Sequence, residues 1–219
     1  METATDELRR DGVASRERSD VERVYQLIRD GMISAELPPG AFLSEPDLAE
    51  RCGTSRTPIR EALSRLAQDG WVDSIHRKGF QVRPITLRDT TELFAYRRLF
   101  ERYAAERAAA AATPAQIAAI ECILDVEERP NNSAMQLAQL NERFHMALVD
   151  RTENHRMIGQ MGLIMAFMRR LNYLVSAGDQ ISHRQILEAV KARDGARAAF
   201  LIGEHIDFAL SVMIRSFCQ

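Results

Sequence analysis

The chain has 219 residues, 46% apolar but only 6% aromatic, with a formal net charge of −2. That length admits one large domain or two small ones, and an alanine-rich, aromatic-poor composition favours packed helices over extended sheet. Cys52, Cys122 and Cys218 have neither metal-ligand nor redox spacing, which argues against a disulfide framework and for the reducing cytoplasm.

The first twenty residues, METATDELRRDGVASRERSD, are charged throughout and have no apolar core, so residues 1–19 read as a disordered arm and not as a signal peptide. Asp20 caps a helix predicted to run to about Ser34, with Val21, Val24, Tyr25, Ile28 and Met32 on one face. Leu37-Pro38-Pro39-Gly40 then forces a turn. In LSEPDLAERCGTSRTPIREALSRL, Ser44 is placed to cap a short helix, with Asp47 three residues on. Gly53 ends that helix, as the residue able to take a positive φ. Ser55 is predicted to cap the next one, where Pro58 is tolerated because first-turn amides lack intrahelical acceptors. Ile59, Ala62, Leu63, Leu66 and Ala67 recur at helical spacing as its buried face. Two short helices joined by a tight glycine turn make a helix-turn-helix.

Asp69-Gly70 stops the second helix. Trp71–Ile75 and Phe80–Val82 read as strands joined by a basic tip, His76-Arg77-Lys78-Gly79, in which Gly79 supplies the unusual backbone angle. From Arg51 to Arg83 there are seven basic residues (51, 56, 60, 65, 77, 78, 83) against three acidic ones (61, 69, 73), a local footprint for phosphate that the global charge hides. The segment GTSRTPIREALSRLAQDGWV, continued upstream by LPPGAFLSEPDLAERCG and downstream by HRKGFQV, resembles the DNA-reading part of the GntR family of bacterial transcription regulators over roughly residues 20 to 84. The resemblance implies a winged helix-turn-helix that binds double-stranded DNA. Arg56 and Arg60 would reach base edges, Ser55 and Thr57 would meet phosphates, and Arg77 and Lys78 would hold backbone at the wing, with Gly79 letting its tip approach the minor groove. Arg65 and His76 are further candidate contacts. Pro46 departs from the family, whose members often carry Arg there, so operator preference does not carry over.

Residues 85–219 read as all helix. Helices are predicted at about 87–112, 114–128, 133–150, 154–176, 182–192 and 194–217, with starts marked by Thr113/Gln116, Ser133/Gln136 and Ser182/Gln185. The longest apolar run, MGLIMAFM at 161–168, is closed by Arg169 and Arg170 and is too short to span a membrane. Asn141 and His145 are four apart on one helix and share a face. His183 opens the fifth helix and His205 lies between Ile202 and Ile206, so three imidazoles and an amide oxygen from three helices have the makings of a metal site, although spacing alone does not show convergence. His155, after Asn154, reads as solvated.

This half is similar to the FCD effector domain of the FadR branch of GntR regulators, in LFAYRRLFERYAAERAA, NERFHMALVD and SHRQILEAVKARDGARAAFLIGEHI, and its six helices resemble the VanR-like subgroup. The resemblance implies a divalent ion, zinc or nickel by its imidazoles, on His145, His183, His205 and position 141, where this chain has Asn in place of the family's Asp. An all-neutral ligand set should weaken metal binding and leave a bound ion more attractive to an anion. A small organic carboxylate is the implied effector. Arg97, with Arg170 and Asn172, is a candidate to hold it, the alternative for Arg97 being an i,i+4 surface pair with Glu101. A homodimer on a pseudo-palindromic operator is expected, with helix 87–112 a candidate interface. Two rivals stand beside this reading: a metal-independent regulator, and a metal-dependent hydrolytic enzyme, against which no carboxylate lies beside the histidines in sequence.

Overall fold

The computed structural model describes residues 20–174 and 182–217, at 172–174 the backbone alone. The arm at 1–19, the last residues of the helix expected to reach 176, and Cys218 lie outside the described residues. The chain divides into two compact units, with the boundary between Pro84 and Ile85.

In the first unit, helix α1 (20–33) buries Val21, Val24, Tyr25, Ile28 and Met32, the stripe that its periodicity predicts. A two-residue strand β1 (Phe42–Leu43) leads into α2 (Glu45–Cys52) and α3 (Arg56–Gln68). Ser44 caps α2 by accepting the Asp47 amide, and Gly53 ends it at φ 62°. Ser55 sits at the N-cap position of α3 in extended geometry, but its side chain makes no capping hydrogen bond, so the predicted cap is positional only. Ile59, Ala62, Leu63 and Leu66 are fully buried, and the Tyr25 hydroxyl donates to Asp69 at 2.6 Å, tying α1 to the end of α3. Strands β2 (Val72–Ile75) and β3 (Gly79–Val82) pair antiparallel, Val72 facing Val82 and Ile75 facing Gly79. β1 adds to the far edge of β3, giving the order β1-β3-β2, a strand not foreseen. At the hairpin tip two residues take positive φ, Arg77 at 63° as well as Gly79 at 88°.

The second unit holds six α-helices among its described residues: α4 (Leu87–Ala111), α5 (Pro114–Glu127), α6 (Ala134–Val149), α7 (His155–Leu174), α8 (His183–Lys191) and α9 (Gly195–Phe217). A 3-10 turn, Asp150–Thr152, follows α6. Reciprocal capping boxes open α4 (Thr86/Asp89), α5, α6 and α8, each satisfying two otherwise unpaired amides. The core contains Phe94, Leu124, Phe144, Leu148, Met165, Leu187, Ile202 and Met213. The alanine run of α4 turns Ala104, Ala105 and Ala108 inward, which lets α9 pack closely along it. No described helix is long and apolar enough to cross a membrane.

Candidate nucleic-acid interface and metal centre

Ser55, Arg56, Thr57 and Arg60 are exposed on the first turns of α3, and His76, Arg77, Lys78 and Gly79 are exposed at the hairpin tip. Among them Arg56, Arg60, Arg77 and Lys78 are cations and Ser55 and Thr57 carry hydroxyls, the water-facing donors that contact with phosphates and base edges requires. Arg60 has an unforeseen partner in Glu45 at the start of α2: Nε donates at 3.1 Å to one carboxylate oxygen and the terminal nitrogen at 2.7 Å to the other. That two-point grip fixes the plane of a guanidinium whose side chain is still 69% exposed. The hydrogen bond from Arg60, followed by its charge, holds the Glu45 carboxyl below its usual range. Arg65 is engaged differently, donating to Glu22 of α1 at 3.0 Å with its guanidinium 4.9 Å from the Tyr25 ring centre.

In the second unit the fold brings His145, His183 and His205 together, all buried, with one nitrogen from each lying within 4.8 Å of the others. Each ring arrives on a helix with its own apolar anchor, Phe144 and Leu148 beside His145, and Ile202 and Ile206 beside His205. The ring of Phe144 stacks on His183 at 4.2 Å between centroids. Two carboxylates orient the imidazoles. Glu127, at the end of α5, receives His183 Nδ1–H on both oxygens at 2.9 and 3.0 Å. Glu101 of α4 receives His145 Nδ1–H. Arg97 pairs with Glu101 through Nε at 2.8 Å and extends a terminal nitrogen to His145 Nε2 at 3.1 Å. Guanidinium can only donate, so Nε2 must be the bare, accepting nitrogen and Nδ1 the protonated one. The Arg97–Glu101 pair is therefore not the surface pair weighed as its alternative: the side chains are 2% and 0% exposed.

The donor set fits a divalent ion. Carboxylates on Nδ1 of two histidines leave Nε2 as their ligating atom and raise its basicity. His183 Nε2 and His205 Nε2 lie 3.3 Å apart, about the nitrogen–nitrogen span of a tetrahedral site with metal–nitrogen bonds of roughly 2.0–2.1 Å. With its Nδ1–H on Glu127, His183 Nε2 is an acceptor, and at that distance it can take a proton carried by His205 or share a cation with it. Asn141 is half-buried, one turn before His145. The expectation of an ion left uncompensated by protein charge is corrected by Glu101 and Glu127, which bring carboxylates against two of the ring systems. Arg170 is 1% exposed on α7, and burial pulls its guanidinium below the ordinary value. The Asn172 side chain lies outside the described residues, and His155 is exposed.

Glu127 is a site residue that spacing did not single out, and Glu101 was singled out only as a surface partner of Arg97. Both sit in register with buried stripes, Glu101 with Phe94, Arg97, Ala104 and Ala108, and Glu127 with Ile120, Ile123 and Leu124. A charged residue inside an apolar helical stripe was the available signal.

Comparison with known proteins matches residues 20–82 to the family described as bacterial regulatory proteins, gntR family, and residues 92–208 to the FCD domain. The Nta operon transcriptional regulator of Aminobacter aminovorans is 28% identical over 189 residues, covering 83% of this chain and 90% of that relative. An HTH-type transcriptional regulator from the TAR-I ttuE-ttuC' intergenic region of Agrobacterium vitis is 32% identical over 148 residues, covering 65% and 85%. A crystal structure of a GntR transcriptional regulator from Rhodococcus sp. RHA1 superposes with a TM-score of 0.73 at 24% identity, covering 90% of this chain and 98% of that one, a likeness of fold.

Burial of the histidine cluster has a consequence for acid stability. Burial pushes the His145 imidazole down to about 4, against the pull of Glu101. Burial alone would raise the Glu101 carboxyl, but Arg97 and then His145 outweigh it and hold it at about 2. Unfolded, the imidazole takes its proton near its ordinary 6.5, so between 6.5 and 4 the unfolded chain binds more protons and the fold loses stability as pH falls. Glu101 extends the loss below its ordinary 4.5. Chelator-treated protein should therefore melt at progressively lower temperature across that window, and His145→Phe should show a shallower decline. A wild-type melting temperature that does not fall there contradicts a buried neutral His145.

Proposed function

The chain belongs to the gntR family of bacterial regulatory proteins and carries an FCD domain, so it is a DNA-binding transcription regulator, and we propose that a small organic carboxylate, bound at a metal ion in the helical unit, modulates its hold on DNA. The observation that carries this reading is the convergence of three buried imidazoles, two of them oriented by carboxylates. His145, His183 and His205 would hold the ion, with Asn141 as a neutral fourth donor; imidazole suits zinc or nickel. Once bound, the ion supplies positive charge and open coordination positions to an anion. Arg97, Arg170 and Asn172 are assigned to the remainder of the effector, the arginines through two-point contact with a carboxylate.

In the winged unit, Arg56 and Arg60 are assigned to base edges, Ser55 and Thr57 to phosphates, and Arg77 and Lys78 to backbone, with His76 and Gly79 at the wing tip. Arg65, tied to α1, supports the recognition helix from behind. Action on double-stranded operator DNA in the cytoplasm follows, as a homodimer on a pseudo-palindrome, since one helix-turn-helix reads only a few base pairs. The exposed stripe Tyr96, Leu99 and Tyr103 on α4 supports that helix as the dimer surface.

Two observations bear on the rivals. Glu101 and Glu127 do lie beside the histidines, but their oxygens are engaged with histidine N–H groups and, for Glu101, with Arg97, which leaves neither poised as a general base for hydrolysis. The metal-independent regulator has a specific point in its favour: the Arg97–His145 contact and the His183–His205 approach let the cluster satisfy itself by hydrogen bonding.

For DNA, Arg56→Ala and Arg60→Ala should each weaken operator binding by roughly tenfold or more and relax base preference. Lys78→Ala should weaken all sequences about equally and flatten the salt dependence. Unchanged affinity and preference in Arg60→Ala would remove α3 from the base-reading role.

For the metal, Asn141→Asp should tighten zinc binding in a chelator competition and weaken an anionic effector, because it adds a negative charge to the ligand set. His183→Ala and His205→Ala should lose metal and effector response while keeping operator binding. Wild-type protein that carries no metal after gentle, chelator-free purification, yet still answers its effector, refutes the coordination reading.

For assembly, light scattering at micromolar concentration should give a dimer for the wild type and a shift towards monomer for Leu99→Asp. A wild-type monomer, or a variant dimer of unchanged affinity, rules out this surface.

A further inference from the structure

The His145 ring has two nitrogens, and both are committed inside the protein: Nδ1–H donates to Glu101, and the Nε2 lone pair accepts from Arg97 at 3.1 Å. An imidazole nitrogen has one in-plane lone pair. A metal ion on His145 Nε2 and the Arg97 hydrogen bond therefore exclude one another. Resting on the metal reading above, we propose that Arg97 is a tethered cation that competes with the metal ion for His145, so that metal loading requires the guanidinium to leave Nε2.

Three features of the site support the exchange. The arginine is anchored independently of the contact it would lose, since its Nε stays on Glu101 at 2.8 Å while only the terminal nitrogen reaches His145. Its guanidinium carbon lies 5.3 Å from the Phe94 ring centre, a face against which the planar group can pivot without losing its cation–π contact. The charges also compensate: with Arg97 in place, a buried cation already faces the Glu101 carboxylate, and an arriving ion meets like charge at short range in a low-dielectric site. Arg97 thus sets the metal affinity below what three histidines and two orienting carboxylates would give.

A second consequence is the order of binding. While Arg97 is on His145, the terminal N–H groups that would take a carboxylate are partly committed. Release of Arg97 from Nε2 would free that edge, so that metal loading would precede anion binding and promote it through the same side chain.

The test uses zinc alone, on the full chain, at about pH 8, above the ordinary imidazole range. Chelator competition should show Arg97→Met binding zinc at least tenfold more tightly than wild type. Equal or weaker binding by the variant overturns the competition and leaves the metal reading standing; no zinc binding by either protein overturns both. Because Arg97→Met strands the Glu101 carboxylate and can fail to fold, the wild type supplies an independent arm. With arginine and histidine labelled by nitrogen-15, a through-hydrogen-bond coupling between the Arg97 terminal nitrogen and His145 Nε2 should be present in zinc-free protein and vanish on zinc saturation. A coupling that persists at saturation overturns the proposal.

Discussion

The helical unit's chemistry depends on one buried chain of contacts, Arg97 to Glu101 to His145. Taking a guanidinium and a carboxylate out of water is expensive, and a buried ion pair rarely stabilises a fold more than apolar residues of the same volume would. Its place in the apolar stripe of α4, between Phe94 and Ala104, is therefore weak evidence for stability and better evidence for a task. The geometry suggests that task. Glu101 fixes the His145 proton on Nδ1 and leaves Nε2 as the accepting nitrogen, which a leucine at position 101 could not do. Glu127 does the same for His183 from the end of α5.

Asn141 looks different in this light. With Asp at that position the negative charge would sit in direct contact with an ion. Here the negative charges against the cluster belong to Glu101 and Glu127, each on the Nδ1 side of an imidazole ring. Negative charge at that remove still favours a cation, but it leaves the ion's own field less cancelled on the side where an anion approaches. That is the arrangement from which the carboxylate effector proposed above would gain most.

How much of this was legible in the sequence follows from how far apart the partners are. The winged unit's signals are local: Ser44 to Asp47, Gly53 at positive φ, and the 59/62/63/66 stripe lie within a few residues of what they determine. Strand β1 escaped because two residues carry no period to read, and it exists only because β3 offers an open edge. Ser55 has the right residue type and backbone angles for a cap but does not make the bond. In the helical unit the three histidines could be named, yet their orienting carboxylates are 44 and 56 residues away from the rings they hold. Nothing short of the packed helices brings those pairs together, although the presence of Arg97 and Glu101 in an apolar stripe marked them as unusual.

The same pairing recurs in the winged unit under opposite conditions. Arg97 is held by Glu101 through Nε alone and out of water, whereas Arg60 is gripped at two points by Glu45 at the surface. There the dielectric strips the pair of most of its energy, and it adds little to the stability of the unit. What remains is geometry: the guanidinium is presented with its plane already set, which would reduce the ordering that the proposed base contact must supply. Glu45 also places a negative charge near where phosphates would run, an unfavourable contact on every sequence alike. A base that engages the Arg60 fork can offset that penalty and one that cannot leaves it standing, so the carboxylate would raise discrimination while lowering raw affinity. In the buried pair, by contrast, the low dielectric makes the carboxylate decide which cation the neighbouring imidazole faces.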